Sequence, residues 1–421
     1  MRETGHTWRN RELNPLTTVR LFMLQILFGN VACNHVPHLA GNDATGSAYC
    51  AARGRLPLAA LERLLARCTK MMGDCLQGTE RWLGHRLFLI DGSSFSMSDT
   101  AELREHFGQP SGQQPGCGFP TAHVLALVHA GCGLVQRAIA SPLHTHDLPA
   151  APQCHPELAA GDVVVGDRAF CSYVHLAMLF SRGIFAVMRV RRNYPIIDFT
   201  PGRAHTAPGK NGKKGLPRSR WIENLGPCDQ IVEWVRDVKP DWLSAEAFAL
   251  LPEVLRVREL RYEVKRPGFR VKQVTLVTTL LDGNRYTKAD LAEAYRLRWT
   301  IETCFGHLKT TMKMDVLRCQ TVDGVMKELT MFLLVYNLVR MVQLQAARQQ
   351  GVSVDRISFV DALRWLAAAR PDAKLRRLVV NPRRPGRYEP RCKKRRPKQY
   401  DLMNKPRAVL RQRLATQPLT N

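Results

Sequence analysis

At 421 residues and 45% hydrophobic content, the chain can bury cores for two or three domains. Its 62 Lys and Arg against 36 Asp and Glu leave a net charge of +26, an excess that points to a polyanionic partner, most commonly nucleic acid. Twelve cysteines without one CxxC pair exclude a disulfide scaffold and read as reduced thiols of a cytoplasmic protein.

Residues 1–85 read as a helical region dotted with arginines, with leucines at helical spacing in "LPLAALERLLARCTKMMGDCL". The apolar stretch "LFMLQILFGNVAC" has the look of a signal-peptide core. Gln25 and Asn30 interrupt it, Glu3 and Glu12 precede it, and it is too short to span a bilayer, so an amphipathic helix is expected and no membrane partner.

From Leu87 the pattern becomes strand-like. "LFLIDGSSFSM" is an apolar run followed by turn-formers, which predicts Asp91 at the end of a buried strand. "HVLALVHAGCGLVQRAIA" reads as an antiparallel hairpin, and "GDVVVGDRAF" as a buried strand that delivers Asp167 at its end. A helix in "SYVHLAMLFSRG" and a strand in "IFAVMRV" complete a first core segment over 86–190.

Residues 191–286 open with a basic Gly/Pro loop and continue with β-type runs in "QIVEWVRDV", "VLRVRELRYEV" and "FRVKQVTLVTTLL", a mainly β insertion. Helix resumes in 287–370, where "TKAD" fits a capping box with Thr287 as N-cap and Asp290 reaching back. The apolar positions of "VMKELTMFLLVYNLVRMVQLQAARQQ" read as core, and 371–421 as a basic, proline-rich arm for nucleic-acid backbone.

The helix that begins at Thr287 carries an unusual stripe. At about 100° per residue, Tyr295, Arg298, Glu302 and Lys309 fall within roughly a 60° arc. The apolar Ala294, Leu297, Ile301 and Leu308 fall on an adjoining face, so the stripe borders a buried surface as a cleft wall does. Each signal alone also marks an ordinary exposed helix face or a structural strand-end acid. Together, two strand-end aspartates and a helix glutamate can converge, and clustered carboxylates call for a cation. Hard oxygen ligands suit Mg²⁺, and a pair of such ions suits phosphodiester chemistry.

The strings "IDGSSFSMSDT", "PSGQQPGCGFP", "GDRAFCSY", "YRLRWTIETCFGHLKTTMKMDVLRC" and "RYEPRCKKRRPKQYDLM" resemble the DDE transposases of bacterial insertion sequences. The similarity is to the insertion-sequence-four type, with its Tyr-x2-Arg-x3-Glu-x6-Lys signature, and covers nearly the whole chain. The resemblance implies an α/β fold in which an RNase H-like catalytic core is interrupted by a β insertion, with a helical N-terminal region and a basic C-terminal arm. It implies Asp91, Asp167 and Glu302 as the metal-binding catalytic triad for two Mg²⁺ ions, with Mn²⁺ as substitute, and Tyr295, Arg298 and Lys309 as phosphate contacts. Double-stranded DNA at the element ends and target, a homodimer on that DNA and no nucleotide cofactor follow as expectations. The alternatives from the residues are a nuclease of the same core that cuts without joining, and a decayed copy that only binds DNA. In the family, the insertion offers an aromatic residue to an unstacked base; Trp221, Trp234 and Trp242 lie there, with core packing the default for each. The amino-terminal region reads as shorter than the family's, so an end-binding segment is expected to be missing.

Two signals compete. His144, His146, Asp147, Cys154 and His155 are respectable zinc ligands, but their spacing matches no closed structural site. His307 lies within the signature helix, and the 100° rule turns it away from the stripe, toward the surface. No GxxxxGK[ST] phosphate loop is present.

Overall fold

A computed structural model describes the chain except residues 1–6, 9–11, 75–80, 113, 115, 191–196, 204–216, 237, 265–272, 371, 383–402 and 417–421. Most of the expected basic arm therefore lies outside the described residues. Four helices come first: α1 (Pro15–Leu27), α2 (His35–Ala40), α3 (Gly46–Arg55) and α4 (Leu58–Asp74). Asn14 starts α1 by accepting the Thr17 N–H at 3.0 Å, and Pro15 follows where no backbone donor is needed. α1 is the stretch that resembled a signal core; its Phe22 and Ile26 are fully buried. Among the described residues, no helix is long and apolar enough to cross a membrane.

The chain then alternates strands and helices: β1 (Leu87–Met97), α5 (Ala101–Phe107), β2 (Thr121–His129), β3 (Val135–Pro142), α6 (Asp147–Ala150), β4 (Val163–Gly166), α7 (Tyr173–Phe180) and β5 (Phe185–Arg189). Next come β6 (Ser219–Gly226), β7 (Asp229–Val235), α8 (Ala245–Ala249), β8 (Val254–Glu263) and β9 (Gln273–Thr278). The rest is α9 (Lys288–Leu297), α10 (Trp299–Gly306), a π-turn (His307–Thr311), β10 (Val316–Leu317), α11 (Val322–Gln350), α12 (Phe359–Ala368) and α13 (Arg407–Thr416). The architecture is mixed α/β around one large mixed sheet.

The sheet runs β3-β2-β1-β4-β5-β9-β8-β7-β6. β1, β2 and β3 pair antiparallel, whereas β1, β4 and β5 pair parallel. β9 joins β5 antiparallel, so the strands of 191–286 extend the same sheet and do not form a sheet of their own. The pleat sends alternate residues to two cores. Leu87, Leu89, Val163 and Val165 enter the larger one, with α1, α4 and α9 to α12, while Phe88, Ile90 and Val164 enter the smaller one beneath α7.

Asp91 does not end its strand. β1 continues six residues further, because Phe95 and Met97 are buried and alternate with serines, a half-buried period-two pattern. What ends near Asp91 is the parallel partner: β4 pairs with residues 87–90 only, and β10 takes up the same edge at Ser96 and Met97. Among the described strands, none pairs with β1 on that edge between these two. The edge is thus split at the acid.

The signature segment is also not one straight helix. α9 stops at Leu297, Arg298 serves as C-cap of α9 and N-cap of α10, and a π-turn follows α10. The capping box at the start of α9 is present, with the Asp290 N–H on the Thr287 hydroxyl and the Thr287 N–H on the Asp290 carboxylate.

Candidate active site

The parallel register pairs Ile90 with Gly166, so Asp91 and Asp167 are the next residues along two neighbouring strands. Asp91 shares the strand parity of Leu89, which faces the larger core, whereas Asp167 follows Val165 and Gly166 at the point where the chain leaves β4 for a turn. α9, α10 and the π-turn cover the face of Leu89 through Ala294, Ile301 and Leu308 respectively. Three acids far apart in sequence therefore approach one edge.

Arg298 joins two of them. Its Nη1 donates to Asp91 Oδ2 at 2.8 Å and its Nη2 to Glu302 Oε1 at 2.7 Å. The guanidinium side chain is 13% exposed, against 20% for Asp91 and 40% for Glu302. Burial pushes the Asp91 carboxyl up to about 6; Arg298 and the Gly92 N–H oppose this, and the charges of Asp167 and Glu302 add to it. Asp167 accepts the Ala169 N–H at 2.7 Å, a turn that fixes its carboxylate just past β4. Arg298 Nε is buried without a partner, which costs about 1–3 kcal/mol where no water reaches it.

Lys309 sits on the π-turn and donates to the Ser93 hydroxyl at 2.9 Å, with its ammonium 4.9 Å from the Phe95 ring centroid. Burial lowers its pKa, and Asp315 opposes the shift. Ser93 lies two residues beyond Asp91 on the same face of β1, inside the split edge. In sequence it reads as one of the turn-formers that follow Asp91. Tyr295 is only 7% exposed, and its ring lies 5.8 Å from the Arg298 guanidinium carbon. It belongs to the core wall and supports the arginine from within.

A second set of residues missed in the sequence ties these elements together. Arg258 on β8 forms a buried two-bond pair with Asp229 on β7, at 2.7 and 2.6 Å, and donates its remaining Nη1 to the Tyr286 carbonyl at 2.6 Å. Tyr286 directly precedes the N-cap of α9. The His85 Nδ1–H donates to the Gly161 carbonyl at 2.6 Å, so its Nε2 accepts the Tyr286 hydroxyl at 2.7 Å. The starts of β1, β4 and α9 thus share one hydrogen-bonded junction: Asp91 lies on β1, Asp167 just past β4, and Glu302 on α10, which follows α9. No single residue there has a motif that betrays it.

The competing groups go elsewhere. Cys154 and His155 are buried in the smaller core, His155 stacks on His175 at 5.4 Å, and His144 bonds to the Gln109 carbonyl. Asp147 pairs with His123. His307, expected at the surface, instead stacks on Phe359 at 4.0 Å, and burial lowers its pKa to about 4. Of the insertion tryptophans, Trp234 is fully buried and donates to Glu259 at 3.0 Å, and Trp242 packs against the smaller core. Trp221 is half-buried, with its indole N–H unpartnered.

Carboxylates such as Asp91, Asp167 and Glu302 are the hard-oxygen donors that Mg²⁺ and related ions take. Among the described residues, however, no three His, Cys, Asp or Glu side chains lie close enough to share one ion. The donor chemistry fits, and the Arg298 guanidinium lies between Asp91 and Glu302.

A sequence profile of the Transposase DDE domain matches residues 82–338. The chain is 26% identical over 138 residues to the putative transposase InsZ of Escherichia coli (strain K12), an alignment covering 32% of this chain and 46% of InsZ. It is 24% identical over 373 residues to the transposase InsG for insertion sequence element IS4 of the same organism, covering 84% of this chain and 77% of InsG. The match thus spans less than half of InsZ but most of InsG. Among solved structures, a piggyBac transposase synaptic complex with hairpin DNA aligns over 86% of this chain and 72% of that chain, at 9% identity and a TM-score of 0.44. With the profile spanning more than half of its length, the chain belongs to the transposase DDE domain family, and its relatives place it with the bacterial IS4 type.

Proposed function

We propose that the chain cuts and rejoins DNA at the terminal inverted repeats of a bacterial insertion sequence, with Asp91, Asp167 and Glu302 as its catalytic triad. The observation that carries this reading is the register of β1 and β4: it leaves Asp91 and Asp167 side by side, with Glu302 linked to Asp91 through Arg298. The strand order β3-β2-β1-β4-β5, antiparallel then parallel, supports an RNase H-like core made of 86–190 and 287–370 around the 191–286 insertion.

The triad would hold two divalent cations, Mg²⁺ or Mn²⁺, which when bound supply Lewis-acid stabilisation of charge at the phosphodiester. The chain's own side chains position the DNA. Lys309, oriented by Ser93, and Arg298, backed by Tyr295, offer their donors to phosphate oxygens beside the acids. The helical region 1–85 and the arm 371–421 add backbone contacts, consistent with a net charge of +26. Two copies would hold the two element ends as a homodimer on DNA.

The test is strand cleavage of a DNA fragment carrying the element's own ends, with Mg²⁺, for wild type and Glu302→Gln. Metal-dependent nicks at the end boundary, abolished in the variant while DNA binding persists, are expected. Full cleavage by Glu302→Gln would remove Glu302 from the triad. Cuts without joined products would instead identify a nuclease.

A further inference from the structure

Of the two cations in the signature, only Arg298 touches the acids; Lys309 is engaged by a serine. The guanidinium spends one N–H bond on each carboxylate, not the paired fork with which arginine grips a single partner, and its Nε has no acceptor. It is therefore held by charge at a place where its hydrogen-bonding capacity is poorly used. A phosphate, with several oxygens around one centre, offers that same guanidinium a better match. A cation shared by Asp91 and Glu302 would meet Arg298 first.

From this geometry we infer that Arg298 is an internal counterion that competes with divalent cations for Asp91 and Glu302, and that a DNA phosphate draws it away, so that metal loading is coupled to DNA binding. The inference rests on the triad reading above. Before DNA arrives, the guanidinium pairs with two of the three carboxylates, offsets one of their negative charges and weakens their hold on metal. Once a phosphate takes the guanidinium, the carboxylates are released to the ions. Linkage requires the effect to be reciprocal: the factor by which DNA tightens metal binding is the factor by which metal tightens DNA binding. Chemical recognition and metal assembly would then be one event, and the free protein would be a poor non-specific nuclease.

The experiment is Mn²⁺ binding to the full chain, followed by the paramagnetic signal of the free ion, without DNA. Arg298→Gln removes one positive charge from beside two carboxylates and is expected to bind Mn²⁺ about tenfold more tightly or better. A duplex carrying the element's terminal repeat should tighten binding by the wild type and change the variant much less. Arg298→Lys keeps the charge but cannot bridge both acids, so a smaller shift in the same direction is expected; it also serves if the glutamine variant fails to fold. Glu302→Gln in the wild-type background separates the two claims. If Glu302→Gln weakens Mn²⁺ binding but neither Arg298 variant tightens it, the counterion role is wrong and the triad reading stands. If Glu302→Gln leaves Mn²⁺ binding unchanged, the triad reading fails and the inference fails with it.

Discussion

Asp229→Ala should destabilise the protein more than almost any other single substitution of a charged residue. Arg258 is 1% exposed and Asp229 4% exposed, and two hydrogen bonds of 2.7 and 2.6 Å join them. Removing the carboxylate strands a guanidinium in the protein interior, which typically costs about 3–5 kcal/mol. Replacing both residues, as Asp229→Ala with Arg258→Met, removes the stranded charge as well. What remains lost is the donor to the Tyr286 carbonyl, at 2.6 Å, a penalty of about 1–3 kcal/mol. The double variant should therefore be more stable than Asp229→Ala alone, a sign that no independent-site scheme allows. Urea denaturation followed by circular dichroism, with the midpoint and slope compared across the cycle, is the assay. A cost for Asp229→Ala below about 1 kcal/mol, the value of an exposed pair, would refute the argument. So would a double variant whose loss equals the sum of the two singles.

Three further substitutions probe other parts of the same frame. In Gly92→Ala, the new methyl group would stand 2.5 Å from Asp147 Oδ1 and 2.6 Å from His123 Nε2, so the pair must part or β1 must shift beside Asp91. A loss of about 1–3 kcal/mol in thermal melting is expected, and a neutral result would show that the pair yields freely. Burial lowers the pKa of His175 to about 4 and that of His155 to about 3, so both are neutral when folded at neutral pH. The unfolded chain, with histidine near 6.5, then binds more protons below that value; stability is fully present above pH 6.5 and is lost as pH falls toward 4. The denaturation midpoint should drop across that window by an amount worth about 3 kcal/mol for His175, and His175→Gln should flatten the profile. Lys309→Ala should weaken DNA binding similarly for all sequences and reduce the log-salt slope by about 1, measured by salt titration; an unchanged slope would take Lys309 off the phosphates.

Much of this architecture is legible in the residues, and the failures have physical causes. The apolar runs at 87–90 and 163–165 read as buried strands because parallel strands covered on both faces are continuously hydrophobic. The second half of β1 reads as a turn in sequence because Ser93, Ser94 and Ser96 look like turn-formers. The overriding signal was the burial of Phe95 and Met97 at period two, on a strand whose other face is polar. The stripe Tyr295, Arg298, Glu302 and Lys309 requires an unbroken helix. Arg298 and Glu302 do act together, being four residues apart, but the break at Arg298 and the π-turn at His307 void the arc calculation beyond one turn. Periodicity reports a local face and not the path of an axis. His307 and Tyr295 show the complementary limit. One is covered by Phe359 and the other by the core of a different layer, and no local pattern contains a partner fifty residues away.

The break at Arg298 bears directly on chemistry. Arg298 caps α9 and α10 at once, and from that position its guanidinium reaches both Asp91 on β1 and Glu302 one turn on in α10. The opposing strand edge is built to receive it. β4 leaves β1 at Ile90, β10 joins it only at Ser96, and the stretch between carries Asp91 and Ser93 on one face. Arg298 goes to the first and Lys309 to the second, so two cations from consecutive helical pieces dock on alternate residues of one open strand. The π-turn is what places the second cation: it inserts one extra residue into the last turn before β10, and π-turns of this kind are common at functional sites. A straight helix with the same four residues would present them all to solvent along one line. The two interruptions instead fold the line against the split edge, which is why a signature that looks like a surface stripe forms the wall of a site.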